Sequence, residues 1–206
     1  MGEKNKVMSD LQAIVVSRKS GNELFHKNSS SIGVNLLSFW QWSSSDLVGN
    51  ALRGVLAEYI VASDIGCVSD LRQEWDAYDL LTMEGIKIEV KSCAYIQSWQ
   101  QDKYSSISFG IQKTYGWDAE KNMRISIKKR QADVYVFCVL SHKDQNTIDP
   151  MNVAQWEFYI LATSVLNREV PEQKSITLSS LKKLNPIKTQ YGDIYTTIKS
   201  QISNKS

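Results

Sequence analysis

A chain of 206 residues that is 42% hydrophobic and 22% charged, with only 3 prolines and 10 glycines, can bury a full core, which excludes a disordered or fibrous protein. Lys and Arg number 24 against 22 Asp and Glu, a formal net charge of +2, so the total alone identifies no nucleic-acid partner and the placement of charge has to decide. The longest apolar run, Val134–Leu140, is far short of the roughly 20 residues of a membrane span. The start, Met-Gly-Glu-Lys-Asn-Lys, lacks the apolar stretch of a signal peptide, and the expectation is a soluble, cytoplasmic protein with no membrane partner. Cys67, Cys93 and Cys138 have neither CxxC nor Cys/His spacing, which points to free core thiols and away from disulfides or zinc. His26 and His142 lie far apart and no glycine-rich phosphate loop occurs, so carboxylates and lysines are left to carry any chemistry.

In chain order, Val7, Met8, Leu11, Ile14 and Val15 recur at helical spacing and predict a short helix ended by Lys19-Ser20-Gly21-Asn22. Residues 28–31 are polar and read as a loop, before the apolar stretch 36–42. Ser43-Ser44-Ser45-Asp46 then offers capping side chains to a helix over 47–64 that stops near Gly66. From Trp75 the period changes to alternation: residues 77–82, a Met83-Glu84-Gly85 turn and residues 86–92 form a β-hairpin. Further strands are expected at 106–112, 132–140 and 157–162, the second of them apolar enough for a central strand covered on both faces. Helices are expected near 164–168, 178–184 and 194–202. No repeat or linker divides the chain, so a single α/β domain over 1–206 is expected, a mixed central sheet flanked by helices. Its core would span about 47–140, with 1–45 and 164–206 as peripheral helical additions.

The hairpin holds the most informative constellation. Lys87, Glu89 and Lys91 share one face of its second strand, and Ile86, Ile88 and Val90 share the other. If Met83-Glu84-Gly85 is a three-residue loop with Gly85 left-handed, Thr82 pairs with Ile86, and counting back sets Asp79 opposite Glu89. Carboxylates facing each other across a ladder repel, and a divalent cation removes the conflict. Mg²⁺ takes one or two carboxylates, a carbonyl and waters, which Asp79, Glu89 and the backbone carbonyl of Val90 would supply. Lys91 is then left for the attacking water or the scissile phosphate, and such an ion supports phosphodiester hydrolysis by acidifying water and neutralising charge. The other Glu-x-Lys, Glu172-Gln173-Lys174, follows Pro171 without a facing carboxylate and reads as a solvated loop. On the helix over 47–64, Glu58 falls inside an apolar arc that includes Ala51, Val55 and Tyr59, with Asn50, Arg53 and Ala57 on the other side. A carboxylate there needs compensation, from a lysine or metal on the sheet or from a structural Arg53 or Arg72.

A helix Glu, a strand Asp and a strand Glu-x-Lys in this order resemble the PD-(D/E)xK nuclease superfamily, the restriction-endonuclease-like phosphodiesterases, over about residues 47–140. The resemblance implies a restriction-endonuclease-like core and an endonuclease that hydrolyses DNA with Mg²⁺, Mn²⁺ substituting. Asp79 and Glu89 would ligate the metal and Lys91 would serve the water. Glu58 would assist at a metal or orient the lysine. Tyr78 stands where the motif's name has proline. Downstream, Gln97 and Trp99 are candidate contacts to bases or phosphates. Lys121, Arg124, Lys128, Lys129 and Arg130, with no acid among them, form the densest candidate phosphate-tracking surface. Cutting both strands of a duplex is simplest for a homodimer with one site per strand. The competing readings are a catalytically silent nucleic-acid-binding or scaffolding relative and a tryptophan-based interaction domain, neither of which has reason to keep opposed carboxylates.

Overall fold

The computed structural model describes residues 14–68, 71–72, 76–118 and 123–203. Most of the helix expected at 7–15 lies outside the described residues. The chain divides into two compact units, Met1–Gln41 and Trp42–Ser206.

In the first unit, β1 (Leu24–Lys27) and β2 (Ser30–Asn35) form an antiparallel hairpin that leads into helix α1 (Leu36–Ser43). Of the loop expected at 28–31, only residues 28–29 are the turn of this hairpin and 30–31 belong to β2: Asn28 takes φ 55°, a left-handed conformation that asparagine tolerates better than most residues. Both strands are exposed nearly throughout, so no alternation of apolar and polar residues announces them. Asn35 caps α1, its Oδ1 accepting the Ser38 N–H at 2.9 Å.

The second unit begins with α2 (Asn50–Asp64), β3 (Leu80–Leu81), β4 (Lys87–Ala94), β5 (Ser108–Gly110), β6 (Thr114–Asp118), β7 (Met123–Lys129) and β8 (Val134–Leu140). It continues with β9 (Trp156–Ala162), α3 (Thr163–Glu169), β10 (Ser175–Thr177), α4 (Leu178–Lys183), β11 (Ile187–Thr189) and α5 (Ile194–Ser203). A five-stranded mixed sheet runs in the order β11-β9-β8-β4-β3, parallel between β4 and β8 and antiparallel elsewhere. Every residue of β8 is buried, as its apolar run requires of a central strand. On one face Ile88, Val90, Val134 and Ile160 pack with Ala57, Val61, Ile194 and Ile198 of α2 and α5. On the other, Tyr135, Phe137 and Leu161 pack with Phe109, Leu166 and Leu181. The architecture is α/β, as the element order indicates.

The expectations for the strand at 106–112 and for the helix at 47–64 are corrected. The strand expected at 106–112 forms as β5 but pairs with β10 in a separate two-stranded sheet. The basic stretch before Arg130 is β7, paired with β6. Helix α2 buries the stripe Arg53, Ala57, Ile60 and Val61, while Val55 and Tyr59 of the expected apolar arc are exposed. The reason is Arg53, whose Nη1 donates to the Val48 carbonyl (2.6 Å) and Gln97 Oε1 (3.0 Å) and whose Nη2 donates to Asn50 Oδ1 (2.5 Å). A guanidinium supplied with these acceptors can sit in a core that hydropathy alone would deny it. The helix also starts later than expected, because Asp46 Oδ1 takes the N–H groups of Val48 and Gly49 in a turn ahead of it.

Candidate active site

The β3–β4 hairpin fixes the site through its turn. Thr82 donates its N–H to the Ile86 carbonyl (3.0 Å), Gly85 donates to the Thr82 carbonyl (2.9 Å), and Gly85 adopts φ 82°. Leu80 faces Ile88 and Leu81 faces Lys87, the register expected from the loop length, but the pairing stops short of Asp79, whose N–H donates to the Ile88 carbonyl (3.0 Å). Strand β3 ends there. Asp79 Oδ2 accepts the Val90 N–H at 2.7 Å, where a continuing strand would have put a backbone carbonyl. Because N–H and C=O of one extended residue point to the same edge, the Val90 carbonyl also faces this open edge of β4.

Lys91 lies two residues beyond Glu89 on the same face and pairs with it, Nζ to Oε1 at 2.5 Å. The two side chains are 30% and 20% exposed, so the pair is reachable from solvent. Asp79 and Glu89 open on a cleft of about 260 Å³ that Tyr78, Gln112, Thr114, Tyr115, Gln131 and Tyr135 also line. Burial, then the charge of Glu89, pushes the Asp79 carboxyl up to about 6. The Val90 N–H and Lys91 oppose that rise and Glu58 adds to it, so the other three expected residues all act on this carboxyl. Among the described residues no group of three or more His, Cys, Asp or Glu side chains gathers at metal-ligand spacing. The available donor set is therefore two carboxylates and an edge carbonyl, which suits a hard ion that keeps most of its water, as Mg²⁺ does.

For Glu58 the structure selects the second of the two compensations expected. Its compensation comes not from the sheet but from Arg72, whose Nε donates to Oε2 (2.5 Å) and Nη2 to Oε1 (3.1 Å). This bidentate pair holds both carboxylate oxygens, which leaves Glu58 acting on the site by its charge on Asp79.

The expected nucleic-acid contacts separate. Gln97 is buried: its Nε2 donates to the Ala94 carbonyl (2.9 Å) and its Oε1 accepts from Arg53, so it braces the loop after β4 and offers nothing to DNA. Arg130 is also buried, donating from Nε to the Ile111 carbonyl (2.8 Å), from Nη1 to Asn167 Oδ1 (2.8 Å) and from Nη2 to the carbonyls of Val170 (2.9 Å) and Gln173 (3.3 Å). It ties three segments together and cannot track phosphates. Arg130→Met is expected to lower stability by about 3 kcal/mol in urea denaturation, because it strands several acceptors in the interior. Lys128 and Lys129 are exposed and pair in register with Tyr115 and Thr114 at the cleft, with Lys128 Nζ 4.8 Å from the centre of the Tyr115 ring. Trp99 is 52% exposed. Lys121 and the side chain of Arg124 lie outside the described residues.

Sequence reasoning missed Tyr135, Gln112 and Gln131 as cleft residues. The one available signal was a phenol in the otherwise apolar run of β8.

No helix among the described residues is long and apolar enough to cross a membrane. No match was found among curated proteins. A protein-family model, that of bacteriophage T4 endonuclease IV, matches residues 4–180, which take in the hairpin, four of the five strands of the sheet and both sides of the cleft. With most of its length matched in this way, the chain belongs to the bacteriophage T4 endonuclease IV family and is a nuclease by that membership.

Proposed function

We propose that this protein is a Mg²⁺-dependent endonuclease that hydrolyses DNA phosphodiester bonds on a restriction-endonuclease-like core of the PD-(D/E)xK type. Asp79 and Glu89 are its metal ligands, Lys91 attends the water and Glu58 acts in support. The observation that carries this reading is Asp79 and Glu89 lining one cleft, Asp79 held on the Val90 N–H at the edge of β4 and Lys91 paired to Glu89, in a chain of an endonuclease family.

When bound, the ion would neutralise charge on the phosphate and make a coordinated water more acidic. Asp79 is held for this role by the Val90 N–H, which fixes Oδ2 and leaves Oδ1 for the cation. Glu89 and the Val90 carbonyl complete the protein's share of the donors. Lys91, anchored by Glu89, holds its ammonium beside the reacting groups, where it orients the water and offsets phosphate charge. Hydrolysis forms a bond from the water oxygen to phosphorus and breaks the bond to one sugar oxygen, which leaves with a proton as an alcohol. Lys128 and Lys129, at the rim beside Thr114 and Tyr115, give the backbone of the substrate a cationic approach to the cleft.

The test is cleavage of supercoiled plasmid and of single-stranded circular DNA by the purified protein with Mg²⁺ or with chelator. Cleavage that requires the metal is expected. Salt-sensitive binding with no cut on either DNA would replace this reading with that of a silent nucleic-acid-binding relative.

A further inference from the structure

We propose that Tyr135 is a further catalytic residue, its phenol hydroxyl donating a hydrogen bond to a non-bridging oxygen of the scissile phosphate. The proposal rests on the assignment of Asp79, Glu89 and Lys91 above.

The placement follows from register. Strands β4 and β8 are parallel with Glu89 beside Tyr135, so both side chains rise on the same face of the sheet. The tyrosine is only 3% exposed, and its ring stacks on Phe137 with centroids 5.7 Å apart and planes at 22°. It is therefore held still by packing before any substrate arrives.

The hydroxyl is what packing does not explain. Among the described residues it has no hydrogen-bond partner, although Asp79 and Glu89 line the same cleft. Among the described residues, the side-chain atoms that are both sealed from solvent and unpaired are Arg53 Nε, Ser92 Oγ and Thr163 Oγ1. The Tyr135 hydroxyl is not one of them, so it opens on the cleft that it lines with the two carboxylates. A phenylalanine, as at Phe137 and Phe158 in the same sheet, would fill the space equally well. A rigid, unspent donor beside two carboxylates, bonded to neither, suits an anionic group that a cation on those carboxylates would bring to the cleft.

A phosphate in hydrolysis is such a group. Negative charge on its non-bridging oxygens has to be met by donors already in position, and a neutral phenol meets it without giving up its proton. Lys91 approaches from β4 and Tyr135 from β8, so the phosphate is held from adjacent strands.

The test compares the native protein, Glu89→Ala and Tyr135→Phe on an oligonucleotide carrying one scissile phosphate, then on its two phosphorothioate diastereomers. Tyr135→Phe keeps the ring and is expected to retain the native thermal midpoint, lose about 100-fold in kcat with little change in KM, and lose the native preference between diastereomers. That ratio reports on one phosphate oxygen and does not depend on how much of the variant is folded. Full activity of Tyr135→Phe alongside an inactive Glu89→Ala would overturn the proposal and leave the site assignment standing. A slower variant that keeps the native diastereomer preference would overturn the phosphate contact. A native protein that cleaves nothing would overturn the site assignment and this proposal together.

Discussion

Lys91→Ala is expected to lower the single-turnover rate of DNA cleavage by about 10³-fold at saturating Mg²⁺, with the thermal midpoint nearly unchanged. The two effects separate because the Lys91–Glu89 pair is open to solvent. An ion pair in such a setting contributes about 0–1 kcal/mol to folding. Its value in catalysis is different in kind, since an ammonium held at a fixed point beside the phosphate needs no rearrangement as charge develops. Removing it also takes away a cation that opposes the rise of the Asp79 carboxyl, so proton and metal compete more evenly for that group. Lys91→Arg retains the charge but spreads it over a planar fork, and partial recovery at most is expected. Cleavage by Lys91→Ala at the native rate would remove this lysine from the site whatever the protein otherwise does.

How much of this arrangement the residues disclose depends on whether local chemistry or distant partners set a position. The hairpin is legible because its register is local: Gly85 has to take the left-handed turn, and from there the pairing runs through Leu81–Lys87 to Leu80–Ile88, where the ladder ends beside Asp79. Strand β8 is legible because only a strand covered on both faces tolerates that apolar run. The face of α2 is not, since Arg53 enters the core on acceptors from Val48 and from Gln97, which is far away in the chain. Arg130 and Gln97 fail in the same way: a buried side chain spent on carbonyls is indistinguishable in sequence from one that awaits DNA. Strands β10 and β11 are too short for a period to show. Glu58 was found as a misplaced acid on the helix, yet its partner Arg72 could be named only as one choice among several, because the segment between them has no period that fixes its path.

Asp79→Asn is expected to abolish cleavage and, in the metal-free protein, to raise stability at neutral pH. Both follow from one carboxylate held in a poor environment. Its folded pKa of about 6 lies above the unfolded value of 3.8, so the folded state binds this proton more tightly. The stability linked to that proton is fully present below pH 3.8 and is lost as pH rises through about 6. At about pH 7.5 the native protein in chelator has therefore lost on the order of 2 kcal/mol that the uncharged asparagine does not lose. The asparagine also keeps an oxygen to accept the Val90 N–H, so the end of β3 is preserved. Urea denaturation of native protein and Asp79→Asn in chelator should then diverge as pH rises from about 4 to about 7.5, the variant becoming the more stable. Mg²⁺ reverses the order of the argument: it should stabilise the native protein at neutral pH, because binding to the folded state alone adds to its stability, and should leave Asp79→Asn unmoved. Equal stabilisation of both by the metal would place the ion elsewhere. Parallel pH profiles in chelator would show that Asp79 is not the strained group that burial beside Glu89 makes it.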